Sequence, residues 1–425
     1  MNQSTRRNFL AASALSAGRV MGANDRIRIG CIGVGMNGSG MLKILMQLSE
    51  EPGARIEVAG VSDIYEKRKN WAKETAKLSD RQMHHDYREL IARPDLDAIF
   101  ISVPDHWHKP MTMDALAAGK DVYLQKPMTL TIDEAREISS AVSRLGRVVQ
   151  VGSQHLSDKR YHVARDLIAA GEIGTLLWAQ STYSRNSLEG EWNYFIDPEA
   201  SADTIDWKRW LGSAPNRAFS AERFFRWRKY WDYSGGIATD LFYHRLGPLL
   251  FSMGPQFPSQ VSSMGGIYVQ KDREVPDTYS TVVEYPDFYV NLSGSMANAG
   301  AQKYLPQVIY GNKGSLVIED KQVRVVPERT YAPDGAGSIH PVEQGELNRA
   351  HTADFFSCMR SRKSPVLDAK LGYQIMTAIR LGIDSYRQKR TMLFDPATQK
   401  VVGHSSARPA YEGNGTNHPR ARRIL

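Results

Sequence analysis

The chain has 425 residues, which is enough for two or three domains with well-buried cores. Hydrophobic residues make up 42% and charged residues 24%, a balance that excludes a collagen-like, a fully disordered or a multi-span membrane chain. The only two cysteines, Cys31 and Cys358, lie far apart in sequence, which excludes a disulfide scaffold and a cysteine-rich zinc site. The net charge of +8 is concentrated at the two ends, so the body of the chain is too close to neutral for a nucleic-acid-binding surface.

Residues 1–24 have the pattern of an export signal. Paired Arg6 and Arg7 precede Phe9, Leu10 and a run of small apolar residues that is too short to span a bilayer. A cationic segment followed by a weakly hydrophobic one resembles a twin-arginine signal, so we expect export by the Tat machinery to the periplasm. The alternative is a disordered basic N-terminus on a cytoplasmic protein.

Residues 25–150 begin with a short apolar strand that runs directly into glycines. Gly33, Gly35 and Gly38 have the G-x-G-x-x-G spacing, and apolar residues at helical spacing follow them. In this setting the first glycine permits a tight turn, and the second lets a pyrophosphate approach the backbone. The third allows the helix to pack closely on the strand. The order of strand, glycines and helix therefore predicts a dinucleotide-binding site.

Asp63 ends the next apolar strand, at the distance from the glycines where a dinucleotide-binding domain carries its ribose-binding acid. A carboxylate there would repel the 2′-phosphate of NADP, so we predict NAD as the cofactor. Lys67 and Arg68 soften that preference, and the alternative for Asp63 is a loop-capping role. Apolar strands at 96–104 and 121–127 alternate with helical segments, which predicts a doubly wound parallel sheet.

Residues 151–395 show a different pattern. Short segments rich in valine, isoleucine, tyrosine and serine recur along this stretch, which predicts a second α/β domain built on a large sheet. The arginines near the C-terminus predict a basic tail over residues 396–425.

In combination these features resemble the Gfo/Idh/MocA family of sugar and cyclitol oxidoreductases. Besides the glycine loop, the resemblance is carried by VPDHWHKP (103–110), AAGKDVYLQKPMTLT (117–131), WKRWLGSAP (207–215), GGIATDLFYH (235–244) and HTADFF (351–356). It implies a Rossmann domain followed by an α/β domain with a large open, mainly antiparallel sheet. Such a sheet can pair subunits face to face, so we expect a homo-oligomer, a dimer or a tetramer.

The same resemblance assigns the chemistry to Lys126, Asp240 and His244. Oxidation of an alcohol needs a base for the hydroxyl proton, and His244, whose ordinary pKa is about 6.5, is the predicted base. Asp240 lies four residues earlier on the same face of a helix, and Lys126 would bind the substrate oxygen. The alternatives are a helix-terminal acid and a buried structural histidine for Asp240 and His244, and a surface lysine for Lys126.

The remaining site residues follow from the same match. The predicted cofactor-binding residues are Gly33, Gly35, Met36, Asn37, Gly38, Asp63, Pro104, His108, Gln125 and Lys126. The predicted substrate-binding residues are Tyr183, Arg185, Asn186, Arg226, Trp227 and Tyr243. Aromatic rings and arginines suit a sugar, although the segment around Arg226 fits a packed loop equally well. For the His106–His108 pair we expect no metal, and we expect His84 and His85 at the surface.

Two functions share these residues. The first is hydride transfer between NAD and a hydroxyl of a sugar, glycoside or cyclitol. The second is glycoside hydrolysis by transient oxidation of the sugar, elimination and hydration. A binding module that retains only the fold is a third interpretation, against which the joint presence of Lys126, Asp240 and His244 weighs. Because a periplasm offers no free NAD pool, the export signal also predicts a tightly bound cofactor.

Overall fold

The computed structural model describes residues 26–53, 55–332 and 335–403. Within these residues the first domain is built on a six-stranded sheet. Its strands are β1 (Ile27–Ile32), β2 (Ile56–Ser62), β3 (Met83–His84), β4 (Ala98–Ile101), β5 (Asp121–Gln125) and β6 (Val149–Gly152). They are arranged in the order β3-β2-β1-β4-β5-β6, and neighbouring strands are parallel. The strand order reverses at β1, so the predicted doubly wound sheet is confirmed.

Helices connect these parallel strands. They are α1 (Met36–Ser49), α2 (Glu66–Thr75), α3 (Tyr87–Ile91), α4 (Asp105–Ala117) and α5 (Ile132–Leu145). The start of α5 has a capping box, in which Thr131 Oγ1 accepts the Glu134 N–H and the Glu134 carboxylate accepts the Thr131 N–H. In contrast, α1 begins at Gly35 without a side-chain cap, so its first N–H groups are available to an anion.

The second domain contains a ten-stranded sheet in the described part of the chain. Its strands are β7 (Leu176–Thr182), β8 (Gln260–Gly266), β9 (Thr278–Glu284), β10 (Tyr289–Ser295), β11 (Gln307–Gly311), β12 (Gly314–Glu319), β13 (Gln322–Pro327), β14 (Ser338–Pro341), β15 (Met392–Asp395) and β16 (Lys400–Val402). Neighbouring strands are antiparallel except β7 and β10, which pair in parallel. The predicted large, open and mainly antiparallel sheet is therefore confirmed.

The helices of the second domain are α6 (Lys159–Ala169), α7 (Trp207–Leu211), α8 (Ala221–Phe225), α9 (Tyr243–Met253), α10 (Ala301–Tyr304), α11 (Leu347–Ser361) and α12 (Ala369–Gln388). Three of them, α6, α9 and α12, pack against the ten-stranded sheet. The main hydrophobic core is continuous between the two domains: Leu124 and Val151 of the first sheet belong to the same buried cluster as Leu246 of α9 and Ile375 of α12. The shared core fixes the position of one domain relative to the other.

The opposite face of the ten-stranded sheet carries a row of aromatic rings. Trp178 stacks on Tyr310 with ring centroids 4.2 Å apart and on Tyr289 with centroids 5.6 Å apart. Tyr289 is 40% exposed in the single chain. The homo-oligomer predicted from the sequence stays a prediction.

Residues 190–233, which we call the cover, form a separate aromatic layer on the first domain. This segment contains α7, α8 and a 3₁₀ turn at Trp227–Lys229. Its hydrophobic cluster combines Tyr65, from the first domain, with Trp207, Trp210 and Phe224. The cover therefore packs beside the carboxyl end of β2, where the sequence predicts the ribose-binding acid.

The ten-stranded sheet includes residues beyond 395, because residues 400–402 pair with β15. The domain bounds and the basic tail predicted from the sequence stay predictions. The predicted export signal and most of the predicted basic tail lie outside the described residues. In the ranges that the structure describes, no helix combines the length and the apolarity needed to cross a bilayer.

Gly38 and Gly40 of α1 provide a matched test of the glycine loop. A Cβ at Gly38 would lie 2.0 Å from the carbonyl oxygen of Gly33, which is backbone and cannot move aside, whereas a Cβ at Gly40 meets no atom within 4 Å. We expect Gly38→Ala to lower the melting temperature and abolish NAD binding. Gly40→Ala should stabilise the helix by about 0.5–1 kcal/mol.

Thermal unfolding and calorimetric NAD titration of both variants measure these effects. Unchanged NAD affinity in Gly38→Ala would show that close packing of α1 on the loop is not needed for the binding site.

Candidate active site

The glycine loop lies at the bottom of a deep cleft between the first domain and the cover. Gly33 has a φ of +80°, and a Cβ there would approach the Ser102 carbonyl oxygen to 2.5 Å, so only glycine is accommodated without strain. The predicted cofactor-binding residues that line this cleft are Gly33, Gly35, Met36, Asn37, Asp63, Pro104, Gln125 and Lys126. Gly38 packs closely against the Gly33 carbonyl oxygen of the loop, as expected for the third glycine of the motif. These residues fit a dinucleotide with its pyrophosphate at the start of α1.

Asp63 is buried at the end of β2 and is connected to the glycine loop. Its Oδ2 accepts the N–H of Val34 at 2.8 Å, and its Oδ1 accepts the N–H of Tyr65 at 2.9 Å. Each carboxylate oxygen keeps a further lone pair, so the group can still accept a ribose hydroxyl. Asp63 therefore holds the loop in shape in addition to lining the adenosine end of the cleft.

His108 does not face the cleft, although the sequence places it among the cofactor-binding residues. Its side chain is fully buried, with Nδ1 2.6 Å from the Pro127 carbonyl oxygen and Nε2 2.9 Å from that of Val103. Burial lowers the pKa of His108 to about 4, so the ring is neutral at pH 7. In this structure His108 supports the backbone next to Lys126.

The H-x-H pair is likewise engaged with the backbone. His106 Nε2 lies 3.0 Å from the carbonyl oxygen of Trp210, and burial lowers the pKa of this imidazole to about 4. Among residues 26–53, 55–332 and 335–403, no three histidine, cysteine or acidic side chains are grouped as a metal would require.

Lys126 and Asp240 form a buried ion pair at the junction of the two domains. Lys126 Nζ lies 2.6 Å from Asp240 Oδ1 and 2.9 Å from the Asp240 carbonyl oxygen. Asp240 also accepts the Nε–H of Arg228 on Oδ1 and the indole N–H of Trp192 on Oδ2, both at 3.0 Å. Burial by itself would raise the pKa of Asp240, but Lys126 and Arg228 outweigh it and hold that pKa well below its ordinary value.

His244 follows Asp240 across a local change in helix geometry. Residues 238–242 form a π-helical turn that leads into α9, and this turn places both side chains toward the domain junction. His244 Nδ1 lies 3.0 Å from Ser153 Oγ. Burial, assisted by the charge of Lys126, holds the pKa of His244 well below its ordinary value, so the imidazole is neutral at pH 7.

The predicted substrate-binding residues are only partly brought together. Trp227 lines the cleft. The ring centroid of Tyr183 lies 6.3 Å from that of His244. The hydroxyl of Tyr183 accepts a hydrogen bond from Arg185 Nη2 at 3.0 Å. Asn186 is exposed.

Two of the predicted substrate contacts are used in packing instead. Arg226 donates to the Tyr194 carbonyl oxygen and to Glu222, each at 2.8 Å. Tyr243 is fully buried and its hydroxyl donates to the Gly372 carbonyl oxygen. Neither side chain lines the cleft, because each meets its hydrogen-bonding needs inside the fold.

Sequence reasoning missed several residues of the cleft. Those contributed by the cover include Tyr194, Phe195, Arg209, Trp210, Phe224, Phe225 and Arg228. From the first domain, Arg68 and His85 also line it. The side chain of His85 is 41% exposed, in agreement with the expected surface position, and lies 3.1 Å from Asp206 Oδ2. The aromatic and arginine-rich run at 223–231 was the available signal, but its spacing did not show which side chains face a ligand.

Asp105 is a further buried acid beside the ion pair. It is the first residue of α4, it is 2% exposed, and its Oδ2 has no hydrogen-bond partner in the described part of the chain. Burial raises the pKa of this carboxyl from its ordinary value near 3.8 to about 7, against the opposing charges of Lys126 and Arg228. Asp105 is thus partly protonated near neutral pH.

This titration predicts a pH dependence of stability. The unfolded chain loses the Asp105 proton near pH 3.8 and the folded protein loses it near pH 7, so the free energy of unfolding should fall across that interval as pH rises. Asp105→Asn should lack this fall and be stabilised relative to the wild type at about pH 8 but not at about pH 4. Urea unfolding at both pH values measures the difference, with the exposed Asp287→Asn as control. The same pH dependence in wild type and Asp105→Asn would contradict the assignment.

Comparison with known proteins agrees with this architecture. A model of an oxidoreductase family with an NAD-binding Rossmann fold matches residues 27–153, and the model of its C-terminal α/β domain matches residues 190–412. Inositol 2-dehydrogenase of Burkholderia multivorans is 34% identical over 190 residues, which is 44% of this chain and 54% of that protein. The scyllo-inositol 2-dehydrogenase (NAD+) of Bacillus subtilis is 23% identical over 363 residues, which is 82% of this chain and 92% of that protein.

Solved structures share the fold. Levoglucosan dehydrogenase in complex with NADH and levoglucosan superposes with a TM-score of 0.67 at 18% identity, covering 86% of this chain and 99% of that one. The two family models together span both domains. The chain therefore belongs to the Gfo/Idh/MocA oxidoreductase family, with an NAD-binding Rossmann domain ahead of its C-terminal α/β domain.

Proposed function

We propose that this oxidoreductase transfers hydride between NAD and a hydroxyl-bearing carbon of a sugar, glycoside or cyclitol. The observation that carries the proposal is the position of Lys126: it lines the cofactor cleft and is fixed by Asp240. When bound, NAD supplies the hydride acceptor for oxidation of an alcohol. The residues of the chain have to bind the substrate oxygen and take up its proton.

Lys126 is arranged to bind that oxygen. An ammonium group has three N–H donors, and two of them are directed at Asp240 Oδ1 and at the Asp240 carbonyl oxygen. No group in the described part of the chain accepts the third N–H, which can therefore donate to a substrate oxygen in the cleft. Since the positive charge is already in place, it stabilises an alkoxide as the hydroxyl proton leaves.

His244 is the candidate proton acceptor. Its imidazole is neutral at pH 7, because burial and the charge of Lys126 disfavour the protonated form. Acceptance at Nε2 requires the ring proton on Nδ1, donated to Ser153 Oγ at 3.0 Å. Asp240 is unsuited to this role, since its carboxylate is held by Lys126, Arg228 and Trp192.

The substrate class is supported by the relatives. Inositol 2-dehydrogenases and a levoglucosan dehydrogenase act on polyhydroxylated rings, as their names state. The aromatic side chains of the cleft give apolar faces on which such a ring can pack. The comparisons do not favour the glycoside-hydrolysing alternative.

A substrate panel tests the proposal. The full chain is incubated with inositols, free sugars, an anhydrosugar and nitrophenyl glycosides, with and without added NAD, while reduced nicotinamide and nitrophenol are followed together. We expect reduced nicotinamide with at least one neutral polyol or sugar and no release of nitrophenol. Nitrophenol release without net reduction of NAD would contradict the proposal and favour the hydrolase.

Two variants test the assigned roles. Lys126→Met and His244→Ala should each lower kcat/KM about a hundred-fold or more, because one removes the oxyanion partner and the other the base. NAD affinity, measured by calorimetry, should change little. The exposed Lys159→Met is the matched control and should retain full activity. Full activity of Lys126→Met would overturn the assignment.

A further inference from the structure

Two arginines lie against the ring of Tyr183, beside the proposed base. The guanidinium carbon of Arg245 is 4.6 Å from the centroid of this ring, and that of Arg185 is 5.1 Å from it. The centroid of the same ring is 6.3 Å from that of His244. A guanidinium packed on an aromatic ring is held in orientation and still has N–H groups for other partners. Two cations are therefore fixed next to the imidazole that would accept the substrate proton.

Regular elements of the second domain position this pair of arginines. Tyr183 and Arg185 directly follow β7, and Arg245 lies in the first turn of α9, which packs against β7. The main-chain N–H of Arg185 donates to the Ser295 carbonyl oxygen of β10 at 2.8 Å. The packing of a helix on a strand thus sets the distance between the two guanidinium groups.

Arg245 leaves hydrogen-bonding capacity unused. Its Nε is buried and has no hydrogen-bond partner in the described part of the chain, and no carboxylate of the same residues forms an ion pair with its guanidinium. The residue as a whole is partly exposed. A buried N–H of a cation that meets no acceptor costs free energy, which an oxygen of a bound ligand would recover.

His155 contributes a second polar atom without a partner. Its ring centroid is 5.1 Å from that of His244, and its Nδ1 is buried and makes no hydrogen bond to any described residue. Burial, assisted by the charge of Arg245, lowers the pKa of His155 to about 4, so this imidazole is neutral at pH 7. Unpartnered atoms on two adjacent side chains indicate a place for a polar ligand group.

The acids near this pair are already engaged by other cations. Asp240 is shared by a lysine and an arginine, as described above, and the side chain of Arg160 donates to both carboxylate oxygens of Asp158. Glu191 comes no closer to Arg185 than 4.0 Å, which exceeds hydrogen-bonding distance. Among the described residues, the domain junction therefore carries more positive than negative charge.

We propose that Arg185 and Arg245 select a substrate that carries an oxyanion, so that the preferred substrate is an acidic sugar or cyclitol and not a neutral one. The planar guanidinium groups pair with the oxygens of a carboxylate or a phosphate ester, while a ring hydroxyl meets Lys126 and His244. Neutral rings enter the same site with a lower kcat/KM, because they lack the paired charge. This inference rests on the proposed function, since it names the substrate class of the same site.

Matched pairs of substrates measure this selectivity. Glucuronate is compared with glucose and galacturonate with galactose, with NAD present, and the 6-phosphate of each sugar shows whether a carboxylate or a phosphate is the preferred oxyanion. We expect the kcat/KM of an acidic sugar to exceed that of its parent sugar about ten-fold or more, mainly through a lower KM. The excess should shrink at high ionic strength, because salt screens the charge pairing.

Variants locate the selectivity in the two arginines. Arg245→Met and Arg185→Met should each lower the ratio of kcat/KM between acidic and parent sugar about ten-fold, the effect of losing one charge-assisted hydrogen bond. Arg245→Lys keeps the charge and should retain part of the ratio. Arg144→Met, at an exposed position of α5, is the control and should keep the wild-type ratio. Thermal unfolding shows that each variant is folded.

The outcomes distinguish this inference from the proposed function. Equal kcat/KM for acidic and parent sugars in the wild type, or the same ratio in Arg245→Met and Arg144→Met, would overturn the inference while oxidation itself still stands. Calorimetric titration of the NAD-saturated protein with glucuronate tests recognition without turnover. Glucuronate binding that is lost in Arg245→Met, with no NAD reduced by any sugar or cyclitol, would support oxyanion recognition and contradict the proposed reaction.

Discussion

The carboxylate of Asp240 joins the first domain, the cover and the segment that leads into α9. It accepts hydrogen bonds from Lys126, which follows β5, and from Trp192 and Arg228, which both belong to the cover. Asp240 itself precedes α9, so this single group holds the first domain, the cover and the start of α9 relative to one another. The position of the ammonium group in the cleft depends on it.

Burial makes the stability of this cluster depend on the pairing of its charges. Two cations and one carboxylate are buried together, and removal of the carboxylate would leave both cations buried without a counter-charge, which is strongly destabilising. Asp105 responds to the same environment by retaining its proton to about pH 7. The charges are therefore in place before a substrate binds, which is the condition for electrostatic stabilisation without reorganisation.

The cover is attached to the rest of the protein at two places. Because it is attached both to Asp240 through Arg228 and to residues 64–67 through main-chain bonds, it touches both ends of the NAD cleft. One segment thus lines the cleft and contacts the carboxylate that positions the ammonium group.

Several features could be predicted from local pattern. The glycine spacing and the apolar parallel strands each arise from neighbours within a few residues, and they fold as expected. Lys126 and Asp240 were identified through motif resemblance, and the structure places them 2.6 Å apart. His108 was assigned to the cofactor by the same route, but its ring nitrogens face backbone carbonyl oxygens.

The sequence by itself determined the two-domain α/β architecture, the dinucleotide site and the family, because periodicity and glycine geometry are local constraints. Only the tertiary structure decided that Arg228 and Trp192 hold Asp240, that Tyr243 and Arg226 belong to packing, and that residues 190–233 close the cleft. The short helices of that segment carry no periodicity that shows their partner. Which side chain faces a ligand was decided by long-range burial and hydrogen bonding, which have no fixed spacing along the chain.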